Sequence, residues 1–211
     1  MLGGNRRREG CELLKKALGV LSDQNDLVVQ AIHIPAELDN LCIPDSELPF
    51  IPMSLPSLSW SYHNDSAMPS NFMYTKPFLF NPNLELDSSY KCSLEAVILF
   101  NIALVYHTAA VHSHDAFEAT ALALYENCLE LLDQDDIEDL SYIRIAALNN
   151  KVQIHHGRAE TIAAAFFLDQ MREILMETLH RTDAEYFDDQ DANGLLLNIA
   201  CQRVLVCAPG A

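Results

Sequence analysis

Proline sets the first limit on what this chain can fold into. Eight of the nine prolines lie between residues 23 and 90, and the ninth, Pro209, stands near the end of the sequence. Proline lacks a backbone N–H and clashes with the preceding helical turn, so no long helix fits in the proline-rich stretch. The rest of the chain, with Pro209 near its end as its one proline, is open to helices, and its apolar residues recur at helical spacing.

Five helices are expected there, over residues 94–110, 114–133, 137–155, 158–181 and 191–206. The first turns Val97, Ile98, Ile102, Val105 and Ala109 to one side. The second points Phe117, Ala121, Leu124, Tyr125, Cys128 and Leu132 inward. The fourth carries Ile162, Phe166, Met171, Ile174, Leu175 and Leu179, and the fifth Leu195, Leu196, Ile199, Ala200, Val204 and Leu205. Asp133 to Asp136 is read as the acidic start of the third helix, where carboxylates suit the N-terminal dipole. Asp188, Asp189 and Asp191 precede the fifth in the same way. A further helix is expected over residues 9–22, with Leu13, Leu14, Ala17, Leu18 and Leu21 on one face.

Within residues 23–90, two short segments have strand character. Leu27 to Ile34 is rich in Val and Ile, and Phe72 to Phe80 is aromatic and extended. They are expected to pair as a two-stranded β ribbon, joined by a long Pro-rich loop from Pro35 to Asn71. The single Trp60 lies in that loop. The domain reading is one mainly α domain over 9–207, with 23–90 an irregular Pro-rich insertion.

The formal net charge is −17 and the sequence pI about 4.6. Binding a phosphate backbone needs clustered Lys and Arg that release counterions. Thirteen basic residues against thirty acidic ones exclude nucleic acid as the natural partner, and disfavour an anionic membrane surface. A basic protein or peptide partner fits, because complementary charge raises the encounter rate. The plainer alternative is a solvated acidic surface that keeps the chain soluble. No uninterrupted apolar run reaches the roughly 18 residues that span a bilayer. Arg6, Arg7 and Arg8 are followed by Glu12, Lys15 and Lys16, not by an apolar signal core. The expectation is a soluble intracellular, cytoplasmic protein.

Chemistry-bearing patterns are sparse. Cys11, Cys42, Cys92, Cys128, Cys201 and Cys207 form no CxxC pair, and reduced thiols in an intracellular setting account for them simply. There is no GxSxG motif. Gly3-Gly4 precedes no strand and lacks a phosphate loop's pattern. The run Asp133, Asp135, Asp136, Glu138, Asp139 lacks the glycine and glutamate of a calcium loop. The densest polar cluster is His107, His112, His114 and Asp115. It supports an alternative reading, a metal-binding protein or degenerate enzyme using the His-rich turn around His112. His155-His156 is a weaker pair, because adjacent residues face different sides of a helix. No catalytic residue, metal ligand or cofactor is assigned.

The helices repeat one another. Gly10 to Leu21 (GCELLKKALGVL) and Ala121 to Leu132 (ALALYENCLELL) share one register, with Leu14 against Tyr125, Ala17 against Cys128 and Leu21 against Leu132. Asn101 likewise matches Asn150, Ala103 matches Val152 and Tyr106 matches His155. Ala103 with Tyr106, then Ala121 with Tyr125 and Cys128, resembles the two helices of a tetratricopeptide repeat (TPR). Val152 with His155, then Ala164, Leu168 and Met171, is a looser second copy. It departs from the pattern at Lys151, where a core Leu is usual, and at Val152, where a small residue is usual. The chain is also similar over about residues 10–206 to a large uncharacterised family of diatom proteins. Tyr74-Thr-Lys-Pro77-Phe78, Phe100-Asn101-Ile-Ala103-Leu104 with His107, and Leu148-Asn149-Asn150 with Ile154-His155 carry that likeness.

The TPR resemblance implies stacked antiparallel helix pairs, about five or six helices, because one pair cannot bury both faces alone. It implies an adaptor or scaffold that binds other proteins, not an enzyme. In TPR grooves, Asn side chains on the first helix of each pair hold a ligand's backbone. The resemblance therefore implies a peptide site at Asn101, Val105, Asn149 and Gln153. Two alternatives stay open: these Asn side chains bond to neighbouring loops or helix backbones, or the helices form a bundle of purely structural role.

Overall fold

The computed structural model describes residues 50–52, 72–80, 90–110, 115–134, 140–180 and 189–207. The expected helix over 9–22, the strand Leu27 to Ile34, Trp60, His112 and His114 lie outside them. In order, the elements are β1 (Phe50–Pro52), β2 (Phe78–Phe80), α1 (Lys91–Ala110), α2 (Asp115–Gln134), α3 (Ser141–Gly157), α4 (Thr161–His180) and α5 (Asp189–Cys207). The protein is mainly helical. The chain divides into two units: Met1–Met53 with Pro77–Asp136, and Ser54–Lys76 with Ile137–Ala211.

In the first unit α1 and α2 pack together and β2 lies against α1. α1 is apolar on all sides and is buried accordingly, from Ala96 through Leu104. Among the described residues α1 is also the helix long and apolar enough to cross a membrane, although 67% of its most apolar stretch is buried inside the protein. Lys91 and Glu95 interrupt the apolar run in sequence without lowering the average enough to remove that property. α2 buries Ala121, Tyr125, Cys128 and Leu132, one stripe at helical spacing. Phe117, expected on the same side, is exposed and meets Tyr106 at a ring distance of 6.0 Å. Phe78, Phe100 and Tyr125 form a row of tilted rings with centroids 5.0 and 5.6 Å apart, a favourable aromatic geometry.

The two-stranded ribbon is present with a different partner from the one expected. β2 pairs antiparallel with β1, Phe50 opposite Phe80, Ile51 opposite Leu79 and Pro52 opposite Phe78. β1 lies inside the stretch read as a loop. Pro52 is tolerated there, because a ribbon of two strands has open edges where a missing N–H costs no ladder bond. Phe50 and Phe78 are buried, which supplies the driving force.

In the second unit α3 and α4 pack as a hairpin joined by residues 158–160. Ala159 takes a left-handed conformation, φ 57°, to make this turn. The N–H groups of Arg158, Ala159 and Glu160 donate to the last carbonyls of α3, as a helix C-terminus requires. α4 buries Ala164, Leu168, Met171, Leu175 and Thr178, the same spacing as the stripe on α2. The apolar set expected on this helix also includes Ile162 and Phe166. They stand 88% and 58% exposed, because they sit two residues ahead of Ala164 and Leu168, on another side of the helix. Leu179 is exposed too. On α5, Leu195 is buried whereas Leu196, Leu197 and Ala200 are exposed.

The acidic helix start expected for α3 is displaced. Asp133 belongs to the last turn of α2, and α3 begins at Ser141 with Leu140 as its N-cap and no acidic residue in its first turn. Asp135 to Asp139 lie outside the described residues. Lys151, the departure from the repeat pattern, is only 1% exposed, with its Nζ 3.9 Å from the centre of the Phe167 ring. The ring face offers a buried ammonium partial compensation for lost water. His155 stacks on Phe167 with ring centres 5.3 Å apart and bonds Glu160 through Nδ1 at 2.6 Å.

Candidate peptide-binding asparagines

Residues 72–77 form neither helix nor ladder, so their backbone groups need other partners. Asparagine side chains supply them. In the second unit, the Phe72 N–H donates to Asn198 Oδ1 at 3.0 Å, and Asn198 Nδ2 donates back to the Phe72 carbonyl at 2.7 Å. The Tyr74 N–H donates to Asn150 Oδ1, and Asn150 Nδ2 returns a bond to the Tyr74 carbonyl, both at 2.9 Å. A primary amide presents one donor and one acceptor side by side. It therefore matches a residue whose N–H and C=O point the same way, the relationship found in paired antiparallel strands. Phe72 and Tyr74 are two apart and present the same edge.

Asn149 closes the network. Its Nδ2 donates to the Phe72 carbonyl at 3.0 Å and to Asn150 Oδ1 at 3.2 Å. Its Oδ1 accepts from Asn198 Nδ2 at 2.7 Å. Asn149, Asn150 and Asn198 are all fully buried. Every one of their amide groups is used, which is the condition under which a buried polar network is stable.

Side chains add selectivity to these backbone bonds. The Phe72 ring lies over Gly194, where a Cβ would come within 2.4 Å of it. No residue larger than glycine fits that seat while the ring occupies it. Tyr74 is fully buried. Lys76 Nζ meets Asp191 Oδ2 at 2.6 Å, with both side chains largely shielded. Asp191, expected in the acidic start of the fifth helix, is a buried ion-pair partner. The first unit repeats the backbone contact once. The Phe78 N–H donates to Asn101 Oδ1 at 3.0 Å and Asn101 Nδ2 donates to the Phe78 carbonyl at 2.8 Å.

Of the four residues assigned to a peptide site, Asn101 and Asn149 thus hold backbone, and the backbone is the chain's own. Val105 is half-buried on α1. Gln153 carries a buried Nε2 with no hydrogen-bond partner among the described residues. Asn150, which the repeat register aligns with Asn101, and Asn198 are not among those four, although they make the paired contacts in the second unit. The signal was available: Asn101, Asn150 and Asn198 stand 49 and 48 residues apart, at equivalent places on α1, α3 and α5.

His107 is the one member of the His-rich cluster whose side chain is described. It is buried, its ring 6.0 Å from that of Tyr125, and its Nδ1 has no hydrogen-bond partner among the described residues. Burial lowers its pKa from 6.5 to about 4, so it is neutral at physiological pH. No group of three potential metal ligands converges among the described residues. No protein-family model, curated protein or solved structure matches the chain.

Proposed function

We propose that this chain is a protein-binding adaptor built from TPR-like helix pairs, with no chemistry of its own. One observation carries the reading. Asparagines recurring at 48–49 residues on α1, α3 and α5 pair with both the N–H and the C=O of single residues in a segment distant in sequence. Such bonds do not depend on the ligand's side chains, so a surface that makes them is suited to peptide backbone. The shared buried stripes of α2 and α4 support stacked repeats, as the resemblance implies. The net charge of −17 favours a basic partner. Cys92 and Cys128 form no disulfide among the described residues, which fits an intracellular, reducing setting.

Selection of displayed peptides on the full-length protein carrying Phe72→Ala, which weakens the segment resident on the asparagines, tests the adaptor reading. Enrichment of peptides sharing a pattern, lost when Asn101 and Asn149 are both changed to alanine, supports it. A folded protein that enriches no pattern counts against it.

A further inference from the structure

We infer that Asn149, Asn150, Asn198, Gly194 and Asp191 form a receptor site for an extended peptide of pattern aromatic-x-Tyr-x-Lys, occupied in this chain by its own Phe72–Lys76. The inference deepens the adaptor reading and rests on it. It names the ligand class and identifies the segment that competes for the site.

Each part of the pattern has a counterpart on α3 or α5. The aromatic ring requires the glycine seat at 194, where any side chain would collide with it. The first backbone position is held by Asn198 and Asn149 and the third by Asn150. The Lys reaches Asp191. A peptide lacking the ring leaves the seat empty, and one lacking the cation forgoes the ion pair to the shielded Asp191 carboxylate, and each loss costs affinity. The segment is tethered to its receptor by the intervening chain, the paired atoms lying 76 to 126 residues apart in sequence. Tethered ligands act at an effective concentration on the order of millimolar, so the free peptide competes only when the tethered copy is weakened.

The test uses a fluorescein-labelled peptide of residues 71–77 and full-length protein, read by anisotropy. Phe72→Ala with Lys76→Ala weakens the resident segment and leaves Tyr74 in place; Lys76→Ala alone is the milder version should the pair fail to fold. A folded weakened variant is expected to bind the peptide at least about tenfold more tightly than wild type. Adding Gly194→Ala to Phe72→Ala/Lys76→Ala leaves the resident segment unstrained, since its ring is gone, yet blocks the incoming ring and is expected to abolish binding. Two results overturn the inference: a folded weakened variant that binds no better than wild type, or binding indifferent to Gly194→Ala. If the display selection succeeds while this peptide fails, the adaptor reading stands and this site falls.

Discussion

Asn150 and Tyr74 exchange two hydrogen bonds of 2.9 Å across 76 residues of sequence, with both residues fully buried. One side chain thereby satisfies the N–H and C=O of a residue that has no secondary-structure partner. Removing it breaks both of these bonds to buried backbone groups, at about 1–2 kcal/mol each. Asn150→Ala is expected to lower unfolding free energy by about 2–4 kcal/mol in urea titrations. Asn150→Asp keeps the acceptor but sets a carboxylate against the Tyr74 carbonyl, and is expected to be at least as damaging.

Gly194 and Phe72 are coupled by a close approach. Gly194→Ala puts a methyl group 2.4 Å from the ring and forces it out. The expected loss is about 1–3 kcal/mol in wild type, as for other overpacked sites. In a Phe72→Ala background most of that cost disappears. A double-mutant cycle by thermal or urea unfolding measures the coupling, and additive effects contradict the contact.

His107 gives stability a pH dependence of known sign. Its pKa is about 4 in the folded protein and 6.5 when exposed. The unfolded chain therefore takes up a proton first as pH falls, and protonation favours unfolding. The contribution of this residue to stability is intact above pH 6.5, declines as pH drops towards 4, and levels off below that. The full loss is about 3 kcal/mol. Comparing His107→Leu with wild type across that range is expected to show a smaller decline in the variant.

The turn between α3 and α4 places its glycine two residues early. Ala159 takes the left-handed conformation, while Gly157 is helical with nothing within 4 Å of its missing Cβ. Ala159→Gly relieves a disfavoured conformation, and Gly157→Ala restricts the unfolded chain at a site with open space. Each is expected to stabilise the protein by about 0.5–1 kcal/mol. Calorimetric melting checks both, and a lower Tm in either contradicts the turn geometry.

Helix positions were legible because apolar periodicity is local. All five expected helices appear, with ends shifted by up to four residues. Which face is buried was less legible on α4, where Ile162 and Phe166 are as apolar as Leu168 and Met171 yet point elsewhere. Nothing local ranks two apolar stripes on one helix; the neighbouring helix decides. The pairing of β2 with Phe50–Pro52 was hidden for the opposite reason, since prolines marked that stretch as a loop. The asparagine contacts join atoms up to 126 residues apart. The sequence could align Asn101 with Asn150, but it could not say whose backbone they hold. Lys151 looked like a defect in the repeat, and only the position of the Phe167 ring explains how it is accommodated.

Amide hydrogen exchange tests most directly that asparagine side chains hold this segment by its backbone. In wild type the Phe72 and Tyr74 amides are expected to exchange slowly although they lie outside helix and ladder, while the Thr75 amide between Tyr74 and Lys76 exchanges fast. In Asn150→Ala the Tyr74 amide is expected to lose more protection than the amides of α3. Tyr74 protection that falls only in step with α3, or a Thr75 amide as slow as its neighbour, contradicts the asparagine pairing.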